Sequence, residues 1–415
     1  MTRSTPVAQV EVSMTAVPCR ALITGLLMAP AALGAQRPAA PQPPISNYWV
    51  YVGAESADLM HRIRFGPAGI LVERTIPVGE LAAEMEGPPG LVISRDGRYL
   101  FLTTGHGFPD GKFWKYALGP DTLVGPSIHL GNFPASIDVT PDGLYTFSSN
   151  FNLHGDMVPS SMSVVYTPTG TEIARIVTCV MPHGSRIDPS GSFQYSGGMM
   201  DDQLVEIDTR SFKVSRRFSL AKGKEGPLAA DDGGVTAMHQ PRQPTSGPPV
   251  DPAEIGYGGM KHTMPPNTCS PTWAQPSADG SRVYVACNKA DEIIEVDVTA
   301  WAVTRRLKSG RGPYNLAVTP NGKLLLATLK QGGMFEVFDL VSGKSVAQLR
   351  NSTTVSHGVV VSPDSRYAFV TSEGVGADPG KVDVYDLTTF VKVGTVDVGQ
   401  QAGGIAFWKM GPVSP

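Results

Sequence analysis

Six segments of this chain share one pattern: "GLVISRDGRYLFLTT", "SIDVTPDGLYTFSS", "SRIDPSGSFQYSG", "TWAQPSADGSRVYVAC", "NLAVTPNGKLLLAT" and "GVVVSPDSRYAFVTS". Each is an alternating apolar strand, a turn of Pro, Asp, Asn, Ser and Gly, and a second alternating strand. That is a β-hairpin with strong turn chemistry. A third strand follows, such as "KFWKYAL", "QLVEIDT", "EIIEVDV", "MFEVFDL" or "KVDVYDL", and then a fourth, such as "VSRRFSL" or "AVTRRLK". Four strands recurring every 40–50 residues or so is the period of a propeller blade. The first three strands of a leading unit are "YWVYVGA", "DLMHRIRF" and "ILVERTIPV", and "GGIAFWKM" at the far end of the chain supplies its inner strand. The expectation is an all-β, seven-bladed propeller of four-stranded antiparallel blades over residues 47–410, closed by the C-terminal strand. Closure leaves no sheet edge open to aggregation.

Composition agrees. Gly (46) and Pro (36) are plentiful and charged residues make up only 17%, which suits a turn-rich β protein and not a helical bundle. With a formal net charge of −3 and no Lys/Arg run, nothing points to nucleic acid as a partner.

Arg20 precedes the apolar run "ALITGLLMAPAAL", and "GAQ" follows. A short apolar core ending in small residues reads as a secretory signal over residues 1–35, cleaved near Ala35, with Met14 a candidate start. The run is too short to span a bilayer, which needs about 20 apolar residues, so no membrane span is expected after cleavage. Residues 36–46 read as a Pro-rich linker. The mature protein is therefore expected in the periplasm or outside the cell. Cys19 leaves with the signal. Cys179, Cys269 and Cys287 remain, an odd number that implies an unpaired thiol or a ligand.

The second strands "YWVYVG", "RVYVAC" and "YAFVTS", with third strands ending in Asp-Leu, Asp-Thr or Asp-Val, resemble the YVTN-type (YncE-like) seven-bladed propellers of bacteria. The resemblance covers about residues 47–410 and implies the fold. It says little about activity, because one fold hosts many.

Residues 220–268 break the period. They are rich in Gly and Pro, and a loop of this length in a compact fold is functional or disordered. They join a fourth strand to the next inner strand, on the face where inner strands begin.

His183 in "VMPHGSRIDPSG" and His357 in "TVSHGVVVSPDS" stand at the same offset from the same turn. That offset is where the chain starts an inner strand, at the mouth of the central channel. The equivalents elsewhere are Pro89, Ala135, Thr272 and Tyr314, so the fold does not demand histidine there. Loops after the second strands open on the same face. They carry His106, His154, Met199, Met200, Lys330 and Glu373, and the insertion adds His239, Met260, His262 and Met264.

Two chemistries fit such a ring. Imidazoles gathered around a channel mouth can hold a transition metal, copper favoured over zinc if soft ligands join, with His106, His154, His183, His357 and His262 as ligands. Alternatively, histidine acts as a general acid or base beside Glu373 or Lys330. The plainer reading is that these loops are polar because they are loops, and that His-Gly satisfies exposed backbone groups. No HExxH, CxxC or CxxCH motif identifies an ion.

Cys269 could join His262 and Met264 as a soft ligand. It could equally pair with Cys287 across its own hairpin, which an oxidising compartment permits. Cys179 reads as a small buried hydrophobe. Met199-Met200-Asp201-Asp202 reads as ligands or as a loop.

Among extracytoplasmic propellers, the nitrous-oxide-reductase type holds copper on a histidine ring, but this chain lacks that family's His-rich spacing and appended cupredoxin domain. Selenium-binding-protein-like methanethiol oxidases are copper propellers whose motifs are not matched here. Streptogramin-lyase-like propellers use a histidine and a carboxylate with Mg²⁺ on this face, and His183 or His357 with Glu373 would be similar. The expected function is small-molecule redox or other metal-dependent chemistry at the channel mouth, with copper the favoured metal and a metal-dependent oxidoreductase the expected enzyme class. A ligand-binding or protein-interaction propeller is the first alternative, and a lyase- or lactonase-like His–Glu site the second. Substrate and electron-transfer partner are not written in the sequence.

Overall fold

The computed structural model describes residues 41–80, 84–105, 111–229 and 267–413. Apart from one short 3-10 turn (Glu55–Ala57), its regular structure is all β. The hairpin turns show why the repeat folds. Ser94, Thr140, Ser277 and Thr319 each bond the side chain of Asp96, Asp142, Asp279 or Asn321 two residues on, at 2.6–2.7 Å. Each hydroxyl also accepts the N–H five residues on, so the short polar side chain replaces ladder partners lost in the turn. In the last hairpin Ser365 stands where the others have glycine, and it adopts the same left-handed conformation (φ 59°).

Strands pair in chain order within each unit, antiparallel throughout. The C-terminal strand Ala402–Pro412 pairs with Ser46–Ala54, so the first and last segments complete one sheet as the sequence predicts. The strands Gly90–Ile93, Pro134–Val139, Pro182–Ile187, Pro271–Pro276, Pro313–Val318, Val355–Val361 and Ala402–Pro412 each lie against the next, and the last lies against the first. This is a propeller-like ring around an axis.

Hydrogen bonding does not divide the ring into separate four-stranded sheets. Four sheets have four strands, one has five, and one has nine. The nine-stranded sheet arises from a single parallel bridge between Gly184 and Trp273 on adjacent inner strands. A Cβ on Gly184 would lie 2.0 Å from Trp273 Cε3, so only glycine lets the two strands come that close. Gly226–Leu228 extends the same sheet at its outer side, so the start of the expected insertion is ordered strand. The five-stranded sheet has its outer strand split into Thr122–Leu123 and Ile128–His129, interrupted at Gly125-Pro126, where proline cannot donate to a ladder.

A second device starts the inner strands. Phe133, Met181, Ser270 and Gln401 sit in the left-handed region at φ 48–54°, and the first three precede a proline. A non-glycine residue there costs about 1–2 kcal/mol. The turn it makes carries the chain from the outer strand of one unit onto the axis. Serine and threonine hydroxyls then stitch neighbouring units near the axis. Thr103 bonds the carbonyl of Pro134, Ser136 that of His183, Thr272 that of Tyr314, Thr328 that of His357 and Thr371 that of Gly403, all at 2.6–2.9 Å and mostly buried.

Cys269 and Cys287 form a disulfide across their hairpin, which decides between the two readings of Cys269. Cys179 is a buried thiol packed with Phe147, Met162 and Val205.

Candidate functional site

The inner strands enclose a cavity of about 200 Å³ at the end of the channel where they begin. His183 and His357 both line it, as their shared offset predicts. Tyr314 lies between them. Its ring meets His183 at a centroid distance of 5.1 Å and His357 at 4.9 Å, edge to face in both cases. All three occupy the same position on their inner strands.

Lys330, Glu373 and Glu55 occupy a second set of equivalent positions, at the ends of the second strands of three consecutive units. Lys330 Nζ lies 2.9 Å from Glu373 Oε1 and 4.4 Å from the Tyr314 ring centroid. His357 Nε2 lies 3.7 Å from Glu373 Oε1 and 4.0 Å from Glu55 Oε1. Gln401 holds the other Glu55 oxygen at 3.2 Å.

The tautomer of His183 follows from its partners. The Thr272 carbonyl, 2.9 Å from Nδ1, can only accept, so Nδ1 carries the hydrogen. Nε2 then accepts from the Tyr314 hydroxyl at 2.9 Å. Burial pushes His183 down to about 4, against the Thr272 bond. Burial also pushes His357 well below the usual imidazole range, and the Lys330 cation adds to that. Both rings are neutral at pH 7. Burial opposes the charge of Lys330, but Tyr314, Glu373 and Glu55 outweigh it and hold the ammonium protonated. Glu55 is raised to about 7 by burial and by Glu373, with Lys330 pulling the other way. The cavity mouth thus holds neutral imidazoles, a fixed cation and a carboxyl that titrates near neutrality. Such perturbed groups mark functional sites.

The other histidines do not join them. His154 is exposed, in a left-handed turn (φ 63°), and does not line the cavity. His61 is buried between the Thr75 hydroxyl and the Gly399 N–H, and His129 is exposed on a short outer strand. His106, His239, His262, Met260 and Met264 lie outside the described residues. Met199 lines the cavity. Asp201 and Asp202 serve the backbone. Asp201 accepts from Val180 N–H at 2.9 Å, and Asp202 accepts from the amides of Thr268, Cys269 and Ser270. Among the described residues no three His, Cys, Asp or Glu side chains are grouped to hold a metal ion.

Sequence reading missed Glu55, Arg186, Trp273 and Asn315, and met Tyr314 only as a non-histidine equivalent. Glu55 was within reach: "YVGAE" matches "FVTSE" when the leading unit is aligned with the last. The others lie on inner strands, where apolar alternation hides them.

No family model and no curated protein matches the chain. Among solved structures it is similar to a chain of Kuenenia stuttgartiensis hydrazine synthase. The two share 17% sequence identity and a TM-score of 0.56, over 79% of this chain and 93% of that one. At this identity the likeness shows the fold alone.

Proposed function

We propose that this protein is a seven-bladed propeller of the YVTN type whose axial cavity binds a small molecule and performs metal-independent acid–base chemistry on it. Counting the nine-stranded sheet as two units joined at Gly184 and Trp273 supports seven. His357, neutral and so able to accept a proton, is the general base, with Glu373 at 3.7 Å and Glu55 at 4.0 Å the acidic groups nearest to its Nε2. Lys330 offers a fixed positive charge to an oxyanion that develops during reaction. Tyr314, oriented by His183, offers a hydroxyl.

The observation that carries this reading is the approach of His357 to the acidic side chains of Glu373 and Glu55 beside Lys330, drawn from different units, with His357, Lys330 and Glu55 lining the cavity. A cavity of about 200 Å³ is smaller than the ~300–1,000 Å³ of drug-sized sites, which favours a small metabolite. Proton abstraction beside a carbonyl, elimination and lactone opening all need this base and this cation. The apolar run after Arg20 and the Cys269–Cys287 disulfide support a periplasmic or secreted location.

The test is a turnover and binding screen of lactones and β-eliminating carboxylic acids with the wild type, His357→Gln and Lys330→Met. The reading predicts turnover that drops by at least 100-fold in both variants. No turnover and no saturable binding across the panel would move the assignment to a protein-interaction propeller.

A further inference from the structure

Deeper in the same cavity lies a second group of polar side chains that the acid–base reading does not use. Arg186, Trp273 and Asn315 stand on three consecutive inner strands, Pro182–Ile187, Pro271–Pro276 and Pro313–Val318, and all three line the cavity. The guanidinium of Arg186 lies over the Trp273 ring, with Cζ 4.5 Å from the centroid.

The hydrogen bonding of this group is incomplete. Among the described residues the Arg186 side chain makes one hydrogen bond, from Nη1 to the Ser185 carbonyl at 2.9 Å, and no carboxylate lies within 4.0 Å of it. Asp138 acts on it only at longer range, and both of its oxygens already accept backbone N–H groups, from Val139 and Ile187. Trp273 is 6% exposed, and its indole N–H has no hydrogen-bond partner among the described residues. Asn315 is 7% exposed, and its carboxamide oxygen has none. Buried polar groups are nearly always paired, and an arginine inside a protein usually has a carboxylate. Arg186 is half-buried, and the loss of water around it pulls it below the usual guanidinium range, with Asp138 acting the other way.

We infer that Arg186 and the Trp273 indole N–H form an anion subsite at the cavity floor that takes a carboxylate group of the ligand. A planar guanidinium and an adjacent N–H match the two oxygens of a carboxylate, and stacking on Trp273 fixes the plane of the guanidinium. Asn315 accepts from a hydroxyl or amide of the same molecule. Gly184 makes the subsite possible, because a side chain there would displace the indole. The inference rests on the cavity being a ligand site. It names the substrate class: a small carboxylic acid, anchored at the floor, whose other end meets His357 and Lys330.

The experiment uses the full-length mature protein labelled with ¹⁵N at tryptophan, titrated with acetate and with succinate at constant ionic strength against chloride. The indole signal of Trp273 is assigned with Trp273→Phe. The inference predicts a saturable shift of that one signal by a carboxylate. The shift weakens at least 10-fold in Arg186→Gln, recovers in part in Arg186→Lys, and is unchanged in His154→Ala, exposed and away from the cavity. Thermal melts of each variant establish folding, and Arg186→Lys serves where Arg186→Gln does not fold. A shift produced equally by chloride, no saturable shift, or an equal shift in Arg186→Gln would overturn the subsite. Carboxylate binding without turnover would overturn the acid–base function and leave the subsite standing. Turnover that needs His357 but keeps its KM in Arg186→Gln would do the reverse.

Discussion

The two sides of the axial cavity are built from the same strand positions and differ in chemistry. On one side, His183, Tyr314, His357, Lys330 and Glu55 line the cavity and, with Glu373 against Lys330 and His357, form a run of titratable groups in mutual contact. On the other, Ala135, Phe133, Phe151, Leu153 and Met199 form an apolar wall. Phe151 occupies in its unit the place that Lys330 and Glu373 hold in theirs. A repeat fold fixes where a side chain points and leaves its identity free. Titratable groups can therefore be collected on one arc while the opposite arc supplies apolar surface. The contact of Phe151 with His183, 5.1 Å between centroids, is where the two arcs meet.

Removing a side chain from each arc separates packing from titration. Phe151→Ala deletes a buried aromatic and should cost about 3 kcal/mol in chemical denaturation, with the neutral state of His183 and His357 unchanged. Lys330→Met should cost less, on the order of 2 kcal/mol, because the pair is partly exposed. Its mark is electrostatic. Lys330 holds Glu55 down, so in the variant the Glu55 transition moves above its present midpoint of about 7, which infrared or NMR titration would detect.

Glu55→Gln sharpens the contrast through pH. A carboxyl raised from 4.5 to about 7 binds its proton more tightly in the folded state. Its contribution to stability is full below pH 4.5 and is lost as pH rises through 7. Lys330, Glu373, His357 and Tyr314 face it. His183, lowered from 6.5 to about 4, acts oppositely: its contribution is full above 6.5 and is lost as pH falls towards 4. The variant should therefore lose the decline between pH 4.5 and 7 and keep the acid-side loss, read from urea midpoints across pH. Thr328→Val, which cuts one inter-unit bond to the His357 carbonyl, should cost about 1 kcal/mol and loosen the position of the base. His154→Ala is the smallest: exposed and away from both arcs, it should stay within about 0.5 kcal/mol and leave ligand binding unchanged.

The ring of repeats was legible because hairpin turns and period-two alternation are local. "DVTPDGLYTF" and "AVTPNGKLLL" carry their own turn chemistry. The pairing of "GGIAFWKM" with "YWVYVGA" was legible because one unit lacked an inner strand. The merger of two units into one nine-stranded sheet was not, since it depends on how closely Gly184 and Trp273 approach in space. Within the site, His183 and His357 stood out because histidine is scarce and their offset is shared. Lys330 and Glu373 followed from loop position. Tyr314 was passed over because tyrosine on a strand usually means packing. Arg186 and Trp273 were passed over because their meaning lies in missing partners, which only three dimensions show. His154 misled because a loop on the right face can still point away from the axis.

At neutral pH the titratable arc holds two neutral imidazoles beside a fixed cation. The most direct measurement is ¹⁵N NMR of the histidine rings from pH 4.5 to 8.5, with His183→Gln and His357→Gln assigning the signals. Neither ring should titrate near pH 6.5, His183 should show the Nδ1–H tautomer, and both signals should shift near pH 7 as Glu55 titrates. Ordinary titration of either ring near pH 6.5, or a tautomer-averaged His183, would contradict this arrangement.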